Sequence, residues 1–169
     1  MTSVSDLSDQ LRAAQLRVTR PRIAVLDAVH SHPHADTDTI FGAVRTGLPD
    51  VSRQAVYDVL AALTAAGLVR RIQPSGSVAR YEARVGDNHH HMVCRSCGVI
   101  GDVDCAVGGD APCLTPSEHN GFVLDEAEVI YWGPVSRLLG QRTFCDHISD
   151  HSPVNKKMMC GMRKGNSVL

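Results

Sequence analysis

The stretch Ser52-Arg-Gln-Ala-Val-Tyr-Asp-Val-Leu-Ala-Ala-Leu-Thr-Ala-Ala-Gly67 decides the fold. Its apolar residues recur at i, i+3, i+4 and i+7, the spacing of a helix with one buried face. These residues are Val56, Val59, Leu60 and Leu63. Ser52 is a good N-cap and Gly67 a good helix end. The pattern therefore predicts a helix between Ser52 and Gly67, with Arg53 and Tyr57 together on another face.

Helices are also predicted before this segment, and a hairpin after it. Residues 5–14 have weak helical character, a second helix follows Thr19-Arg20-Pro21, and a third starts near Asp36 or Thr37. Two β-prone runs, 68–73 and 77–82, are joined through a Pro-Ser-Gly turn. Three helices followed by a hairpin is the order of a winged helix-turn-helix, and its last helix reads bases from its N-terminal end.

A second unit of short strands is predicted beyond a hinge at residues 85–88. Its strands cover 89–94, 99–103 and 122–132. Between them we expect one helix with a capping box, in which Thr115 is the N-cap, Pro116 the first residue and Glu118 the third, closed by Gly121. A unit of about 48 residues is too small to be stable by itself without a metal or a partner.

The expected fold class is α+β, with three segments. Residues 1–84 form an N-terminal winged helix-turn-helix domain, and residues 85–133 form a small C-terminal α/β domain. Residues 134–169 lose all periodicity and turn to Ser, Lys, Met and Gly, so we expect an atypical and mostly disordered tail.

Composition excludes a membrane protein and indicates an aliphatic core. The chain has 169 residues, 43% of them hydrophobic but only 4% aromatic. No stretch approaches the ~18 apolar residues that a membrane span needs. The first residues lack the basic segment and apolar run of a secretory signal, so we expect a cytoplasmic protein.

The net charge of −1 hides three stretches of different charge. Residues 1–85 carry 10 Lys/Arg against 8 Asp/Glu, residues 86–133 carry 1 against 8, and residues 134–169 carry 6 against 2. All ten basic residues of the first stretch are Arg, which suits phosphate and base recognition. The acidic middle stretch could hold cations.

The cysteine pair Cys94-Arg-Ser-Cys97 predicts half of a structural zinc site. Two thiolates in a tight turn can share one metal, but structural zinc takes four ligands. A pair of buried or redox-active thiols is the alternative interpretation.

A second candidate metal site lies beside it. His89 and His91 share one face of a predicted strand and can chelate one cation. Glu82, which ends the preceding strand, and Asp102, which lies on the next strand, would add oxygen ligands, and such a set suits Fe²⁺, Mn²⁺ or Zn²⁺. If His34 from the loop after the second helix joined them, metal would clamp the two domains together. A solvated polar strand remains the alternative.

Ser52, Arg53, Gln54 and Tyr57 form the candidate DNA-reading face, and Arg80 and Arg84 on the hairpin could contact phosphates. The alternative is an ordinary exposed polar helix face.

Taken together, residues 11–133 resemble the ferric uptake regulator (Fur) family of repressors, and most closely its actinobacterial branch associated with catalase-peroxidase control. The matching stretches are Leu16-Arg-Val-Thr-Arg-Pro-Arg22, His34-Ala-Asp-Thr-Asp-Thr-Ile-Phe41, Ser52-Arg-Gln-Ala-Val-Tyr-Asp-Val-Leu60, Ala65-Ala-Gly-Leu-Val69, Tyr81-Glu82 and His89-His-His-Met-Val-Cys-Arg-Ser-Cys-Gly98.

The resemblance implies a homodimer, in which the C-terminal domain is the dimerisation domain, that represses iron or oxidative-stress genes when a divalent metal is bound. Its regulatory metal positions fall on His34, Glu82, His89, His91 and Asp102. Arg53 and Tyr57 fall in its DNA-reading helix, and Arg22 completes the predicted set of DNA contacts.

The sequence departs from the family in two places. The family often completes its zinc site with a second Cys-x-x-Cys after the last strand, but here Tyr131-Trp-Gly133 leads into Pro134 with no cysteine before Cys145. The missing zinc ligands could be replaced by Cys145, His147 and Cys160, although their spacing is loose. The composition and pattern of the tail resemble the product of a frameshift. A further metal site of some relatives falls on Asn88, His90 and Ala127, and we do not predict it.

The sequence therefore predicts a metal-dependent repressor that binds double-stranded operator DNA as a homodimer, with Fe²⁺ or Mn²⁺ as regulatory metal and Zn²⁺ as structural metal. A metal carrier or buffer without DNA function is the alternative. A zinc hydrolase is less favoured, because no His-Glu-x-x-His motif occurs.

Overall fold

Four helices and two three-stranded sheets make up the part of the chain that the computed structural model describes, residues 3–106, 116–118, 120–123 and 127–134. The helices are α1 (Val4–Ala13), α2 (Arg20–Ser31), α3 (Thr37–Gly47) and α4 (Arg53–Ala65). The strands are β1 (Ala35–Asp36), β2 (Arg70–Ile72), β3 (Arg80–Glu82), β4 (His89–Cys94), β5 (Ile100–Asp104) and β6 (Ile130–Gly133). None of the helices in these ranges is long and apolar enough to cross a membrane.

Each helix begins at a side chain that caps it. Ser3, Thr19, Asp36 and Ser52 all have extended backbone and accept a hydrogen bond from a backbone N–H in the first turn. At the end of α4, Gly67 has φ +69° and donates to Thr64 O, while Leu68 donates to Leu63 O. This pair of bonds is a Schellman motif, which explains why α4 ends at a glycine.

The four helices enclose an aliphatic core, on which the first sheet packs. Its fully buried side chains include Leu7, Leu11, Val25, Leu26, Val29, Ile40, Val56, Leu60 and Leu63. The first sheet has the order β1-β3-β2, all antiparallel, and a 3-10 turn at Pro74–Gly76 joins β2 to β3. Helices α2, α3 and α4 followed by this hairpin are the predicted winged helix.

The second sheet has the order β5-β4-β6, with β5 antiparallel and β6 parallel to β4. Ile72 of the first sheet is 2% exposed and packs in one apolar cluster with Val93 and Ile100 of the second. Ile130 and Trp132 cover the same cluster. An apolar contact therefore joins the two sheets.

The predicted α+β architecture is confirmed, with local corrections. Pro116–Glu118 and 120–123 are not helical, so the predicted capping-box helix is wrong for the residues described; Thr115 lies outside them. A segment of about one turn has too few hydrogen bonds to offset helix nucleation. The last strand covers only Ile130–Gly133, and β2 and β3 are shorter than predicted. Of the predicted tail, only Pro134 lies within the described residues.

Candidate metal centre

Four side chains, three from strands of both sheets and one from the loop before β1, converge on one point. His34, Glu82, His91 and Asp102 each offer one nitrogen or oxygen atom, and these four atoms lie within 4.8 Å of one another. Within the described ranges, this is the group of His, Cys, Asp and Glu side chains that could hold a metal ion. Two imidazole nitrogens with two carboxylates suit Fe²⁺, Mn²⁺ or Zn²⁺.

His34 reaches this point because its backbone is bent. It has φ +58°, a left-handed conformation that is uncommon for a residue with a Cβ. Arg80 Nη1 donates to His34 O at 3.0 Å, and the next residue begins β1, which pairs with β3. Such backbone strain costs of order 1–3 kcal/mol and persists where surrounding contacts impose it, often at functional sites.

The strands supply the other three donors. Glu82 is the last residue of β3 and is 1% exposed. His91 on β4 lies directly opposite Asp102 on β5, so their side chains emerge on the same face of the second sheet. Glu82 from the first sheet thus faces His91 and Asp102 from the second.

The contacts inside the cluster leave atoms unsatisfied. Glu82 Oε2 accepts from His34 Nε2 at 3.0 Å and from His91 Nε2 at 2.9 Å. Asp102 Oδ1 lies 2.8 Å from His34 Nε2, yet a single N–H cannot serve both carboxylates. Within the described residues, Glu82 Oε1 and Asp102 Oδ1 are buried with no hydrogen-bond partner. Buried oxygens of this kind are costly unless a cation or proton satisfies them, so the residues present fit a divalent metal.

The contacts within the cluster favour the charged forms of Glu82 and His34. Burial by itself would raise the pKa of Glu82, but hydrogen bonds from His34 and His91 outweigh it and lower the pKa to about 2. Burial likewise opposes the charged form of His34, yet the hydrogen bond to Glu82 and the charge of Asp102 raise its pKa. Glu82 is therefore a carboxylate at neutral pH, the form that binds metal.

His89, the fifth predicted ligand, lies beside the four-atom group. Its Nε2 is 3.3 Å from Glu82 Oε1 and has no hydrogen-bond partner within the described part of the chain. Its Nδ1 lies 2.6 Å from Asp87 Oδ1. The side chain is 1% exposed, and its ring contacts that of His91 edge to face, with centroids 5.1 Å apart.

The predicted DNA-reading residues lie on and around the start of α4. Tyr57 is 47% exposed and Gln54 donates to Asp58 at 2.8 Å, whereas the Ser52 hydroxyl is engaged in capping the helix. The structure shows a contact that the sequence did not indicate at Arg53: it pairs with Asp38, and its guanidinium lies 4.6 Å from the centre of the Phe41 ring.

The arginines predicted outside α4 differ in their surroundings. Arg22 lies in the first turn of α2 and donates to Arg17 O at 2.8 Å. Arg80 donates to the His34 carbonyl oxygen, and Arg84 donates to Asp87 and Asp104. The phosphate contacts of Arg80 and Arg84 stay a prediction.

The cysteine pair lies at the end of β4. Cys94 is buried and Cys97 exposed, and a tight turn is closed by Gly98 N–H donating to Cys94 O at 2.9 Å. This is a geometry in which two thiolates can share one ion. Cys145, His147 and Cys160, the loosely spaced substitutes, lie outside the described residues.

A sequence model of the ferric uptake regulator family matches residues 13–110, more than half of the chain. The chain belongs to this family. It is 81% identical over 133 residues to a transcriptional regulator FurA of Mycobacterium tuberculosis, covering 79% of this chain and 90% of the relative. It is 64% identical over 153 residues to ferric uptake regulation protein 1 of Mycolicibacterium fortuitum, covering 90% and 91%. The resemblance predicted from the sequence is confirmed.

Solved structures of this family share the fold. The ferric uptake regulator of Pseudomonas aeruginosa with manganese matches at 26% identity and a TM-score of 0.56, over 76% of this chain and 96% of that one. The Helicobacter pylori regulator, described as having three functional metal-binding sites, matches at 17% identity and a TM-score of 0.57, over 78% and 91%. At 17% identity, this second match supports the fold alone.

Sequence reasoning missed two features near the metal cluster. The first is β1, whose two residues pair with β3 and hold the His34 loop. The second is Asp87, which contacts His89 and Arg84. A carboxylate two residues before a candidate ligand was a visible signal for the second; nothing local in the sequence indicated the first.

Proposed function

We propose that this chain is a metal-responsive transcriptional repressor of iron-homeostasis or oxidative-stress genes, acting in the cytoplasm as a homodimer on operator DNA. His34, Glu82, His91 and Asp102 would hold the regulatory ion, with His89 as an additional ligand. Family membership and the names of the relatives support the regulator class. The observation that carries the proposal is the convergence of donors from both sheets.

The donors are distributed so that their spacing depends on how the two sheets lie against each other. His34 and Glu82 belong to the winged-helix side, whereas His91 and Asp102 belong to the second sheet. A bound divalent cation would supply a positive charge at the point where the four donor atoms meet. Holding Glu82 against His91 then fixes the first sheet, and with it α4, relative to the second sheet. A ligand that binds one such arrangement better shifts the population toward it.

A homodimer gives this arrangement a consequence at the DNA. Two copies of α4 bind two half-sites only if their separation matches a whole turn of the duplex or a multiple of it. We infer that the C-terminal domain, residues 85–133, carries the dimer contact and that Arg53 and Tyr57 enter the major groove. Arg53 suits guanine or phosphate, and the Tyr57 ring suits thymine methyl groups.

The structural zinc remains part of the proposal in a weaker form. Cys94 and Cys97 would provide two of its four ligands. Structural zinc contributes ~10–16 kcal/mol of apparent folding free energy in small domains, so its other ligands matter for folding. Zinc content per chain, measured on purified protein, tests this directly.

The burial of the cluster argues against a hydrolase. A catalytic zinc site keeps an open position for water or substrate. Here His34, Glu82 and His91 are 9%, 1% and 1% exposed, which leaves little room for a substrate. The carrier alternative predicts metal binding with no change in DNA affinity, whereas the repressor predicts tighter DNA binding with metal.

The test is fluorescence anisotropy on an A/T-rich palindromic operator candidate and on a scrambled duplex, with Mn²⁺ added and then removed by chelator. We expect wild-type protein to bind the palindrome selectively and only with Mn²⁺. The variants His91→Ala and Asp102→Ala should lose this response while keeping their circular dichroism spectrum. His32→Ala removes an exposed imidazole from the loop that carries His34, and should respond like wild type.

Two results would contradict the proposal. Metal-loaded protein that ignores both duplexes would favour the carrier, and an undiminished Mn²⁺ response in both cluster variants would refute the ligand assignment. Sedimentation at about twice the 18.2 kDa chain mass is expected for the homodimer.

A further inference from the structure

Asp87 contacts two side chains, His89 and Arg84, beside the segment that joins the two sheets. Its Oδ1 lies 2.6 Å from Nδ1 of His89, and its Oδ2 accepts from Arg84 Nε at 2.6 Å. The same Arg84 donates through Nη2 to Asp104 Oδ1 at 2.5 Å. Asp104 is the last residue of β5 and lies opposite His89 in the sheet. The chain that connects β3 to β4 is therefore held against β5 beside a candidate ligand.

This contact determines which nitrogen of His89 carries the proton. A carboxylate bound to arginine is an acceptor only, so the short contact requires a proton on Nδ1 of His89. In the neutral ring, Nε2 then presents a lone pair. That lone pair is buried and faces Glu82 Oε1, another acceptor, 3.3 Å away. Two acceptors facing each other in a buried site are costly unless a cation or a proton lies between them, and a bound metal ion meets this need.

We propose that Asp87 is a positioning residue, which holds His89 with its Nε2 lone pair turned toward the metal centre, and that Arg84 fixes Asp87 in place. This inference rests on the proposed function, because it assigns a way in which the same site is tuned. A carboxylate behind a ligating imidazole fixes its tautomer and ring orientation and raises its basicity. Asp87 itself does not contact the metal donors of the four-atom group.

The exposure of these residues separates positioning from folding. The side chains of Arg84, Asp87 and Asp104 are 38%, 41% and 84% exposed. Ion pairs at such exposure contribute little to stability. Removing the Asp87 carboxylate should therefore leave the fold intact and act on His89, whose side chain is 1% exposed.

The experiment compares Asp87→Ala with a matched control in the full chain. Asp9 on α1 forms an ion pair with Arg12 at the same i, i+3 spacing and 2.6 Å, so Asp9→Ala removes an equivalent surface pair. Mn²⁺ affinity is measured by electron paramagnetic resonance. We expect Asp87→Ala to weaken Mn²⁺ binding about 10–100-fold, the usual effect of losing such a partner. Asp9→Ala should change it by less than about twofold.

A second readout follows the tautomer in metal-free protein. Long-range ¹H–¹⁵N correlations distinguish the two neutral forms of an imidazole, and a His89→Asn variant assigns the signal. Wild-type His89 should carry its proton on Nδ1, and in Asp87→Ala the proton should move to Nε2, where Glu82 accepts it. Asp87→Asn keeps an acceptor oxygen, so it should retain the wild-type tautomer and recover most of the affinity.

The outcomes separate this inference from the proposed function. An unchanged tautomer or an unchanged Mn²⁺ affinity in Asp87→Ala would overturn the inference while leaving the repressor proposal standing. An Asp87→Asn protein as impaired as Asp87→Ala would also overturn it. Wild-type protein that bound no Mn²⁺ would refute the proposed function, and the inference with it.

Discussion

Replacing Ile72 by Ala tests whether contact between the two sheets controls metal binding. Ile72 is 2% exposed and is the residue of the first sheet that packs against Val93 and Ile100 of the second. An Ile→Ala change in such a position costs about 2–5 kcal/mol, and Ile→Val about 0.5–1.5 kcal/mol. Because the lost methyl groups lie between the sheets, we expect this cost to fall on their contact.

The metal donors also come from both sheets, so a weaker contact lowers the fraction of molecules in which they converge. The apparent dissociation constant rises as this fraction falls. With about 1.4 kcal/mol for each tenfold change, a contact worth about 3 kcal/mol sets a ceiling near a hundredfold. We expect Ile72→Ala to weaken Mn²⁺ binding about 10–100-fold, and Ile72→Val by less than about tenfold.

Isothermal titration with Mn²⁺, at a temperature where urea titration shows every variant folded, measures this effect. Ile40→Ala is the control, since Ile40 is equally buried but lies in the helical core, away from the second sheet. It should lower stability by a similar amount and leave Mn²⁺ affinity unchanged. If Ile72→Ala kept wild-type affinity, or if Ile40→Ala lost as much, the reasoning would be refuted.

Three further predictions concern α4 and the start of α3. Tyr57→Ala should weaken operator binding by about 1–3 kcal/mol, seen as anisotropy on the palindrome, with unchanged Mn²⁺ affinity. Asp38→Ala frees Arg53 and removes a negative charge, so the scrambled duplex should bind a few-fold more tightly and selectivity should fall; equal selectivity would contradict this. Asp36→Ala removes the N-cap of α3 and should cost about 1 kcal/mol in urea unfolding at pH 7. Burial opposes the charge of Asp36, but hydrogen bonds from Thr39 outweigh it and lower its pKa below the usual value of an aspartate. The ionic contribution of Asp36 to stability is therefore complete above that usual value and is lost as pH falls through the lower folded pKa, and Asp36→Asn should lack this acid-dependent loss.

Local signals in the sequence predicted the fold well. Helix caps and helix ends depend on backbone groups within four residues, so they can be predicted without knowledge of the tertiary structure. The examples here are the caps at Asp36 and Ser52 and the helix end at Gly67. The bounds of β4, His89–Cys94, match the prediction for the same reason. The capping-box helix failed because a cap does not make a helix without enough residues behind it.

The candidate site could be predicted only as far as strand geometry reaches. Alternation predicted His89 and His91 on one face and the strand order placed Asp102 nearby, whereas the register that sets Asp102 opposite His91 is seen only in the structure. That Glu82 crosses from the other sheet depends on how the two sheets pack, which no local pattern encodes. The left-handed backbone of His34 likewise depends on contacts beyond its own loop. Arg80, which donates to the His34 carbonyl oxygen, lies 46 residues away in the sequence, and β1 is held by its pairing with β3.

The energetics of burial give an independent reason to regard the cluster as functional. Glu82 and His91 are each 1% exposed at a boundary where Ile72, Val93 and Ile100 show that aliphatic side chains pack well. Replacing a buried ionic group by apolar side chains of similar volume is often neutral or stabilising. A sequence selected for stability alone would therefore place aliphatic residues at these positions. The imidazoles and carboxylates are present despite their desolvation cost and with unsatisfied oxygens among them. A cation bound here would offset that cost and tie the two sheets together, and it would account for both the choice of residues and their location.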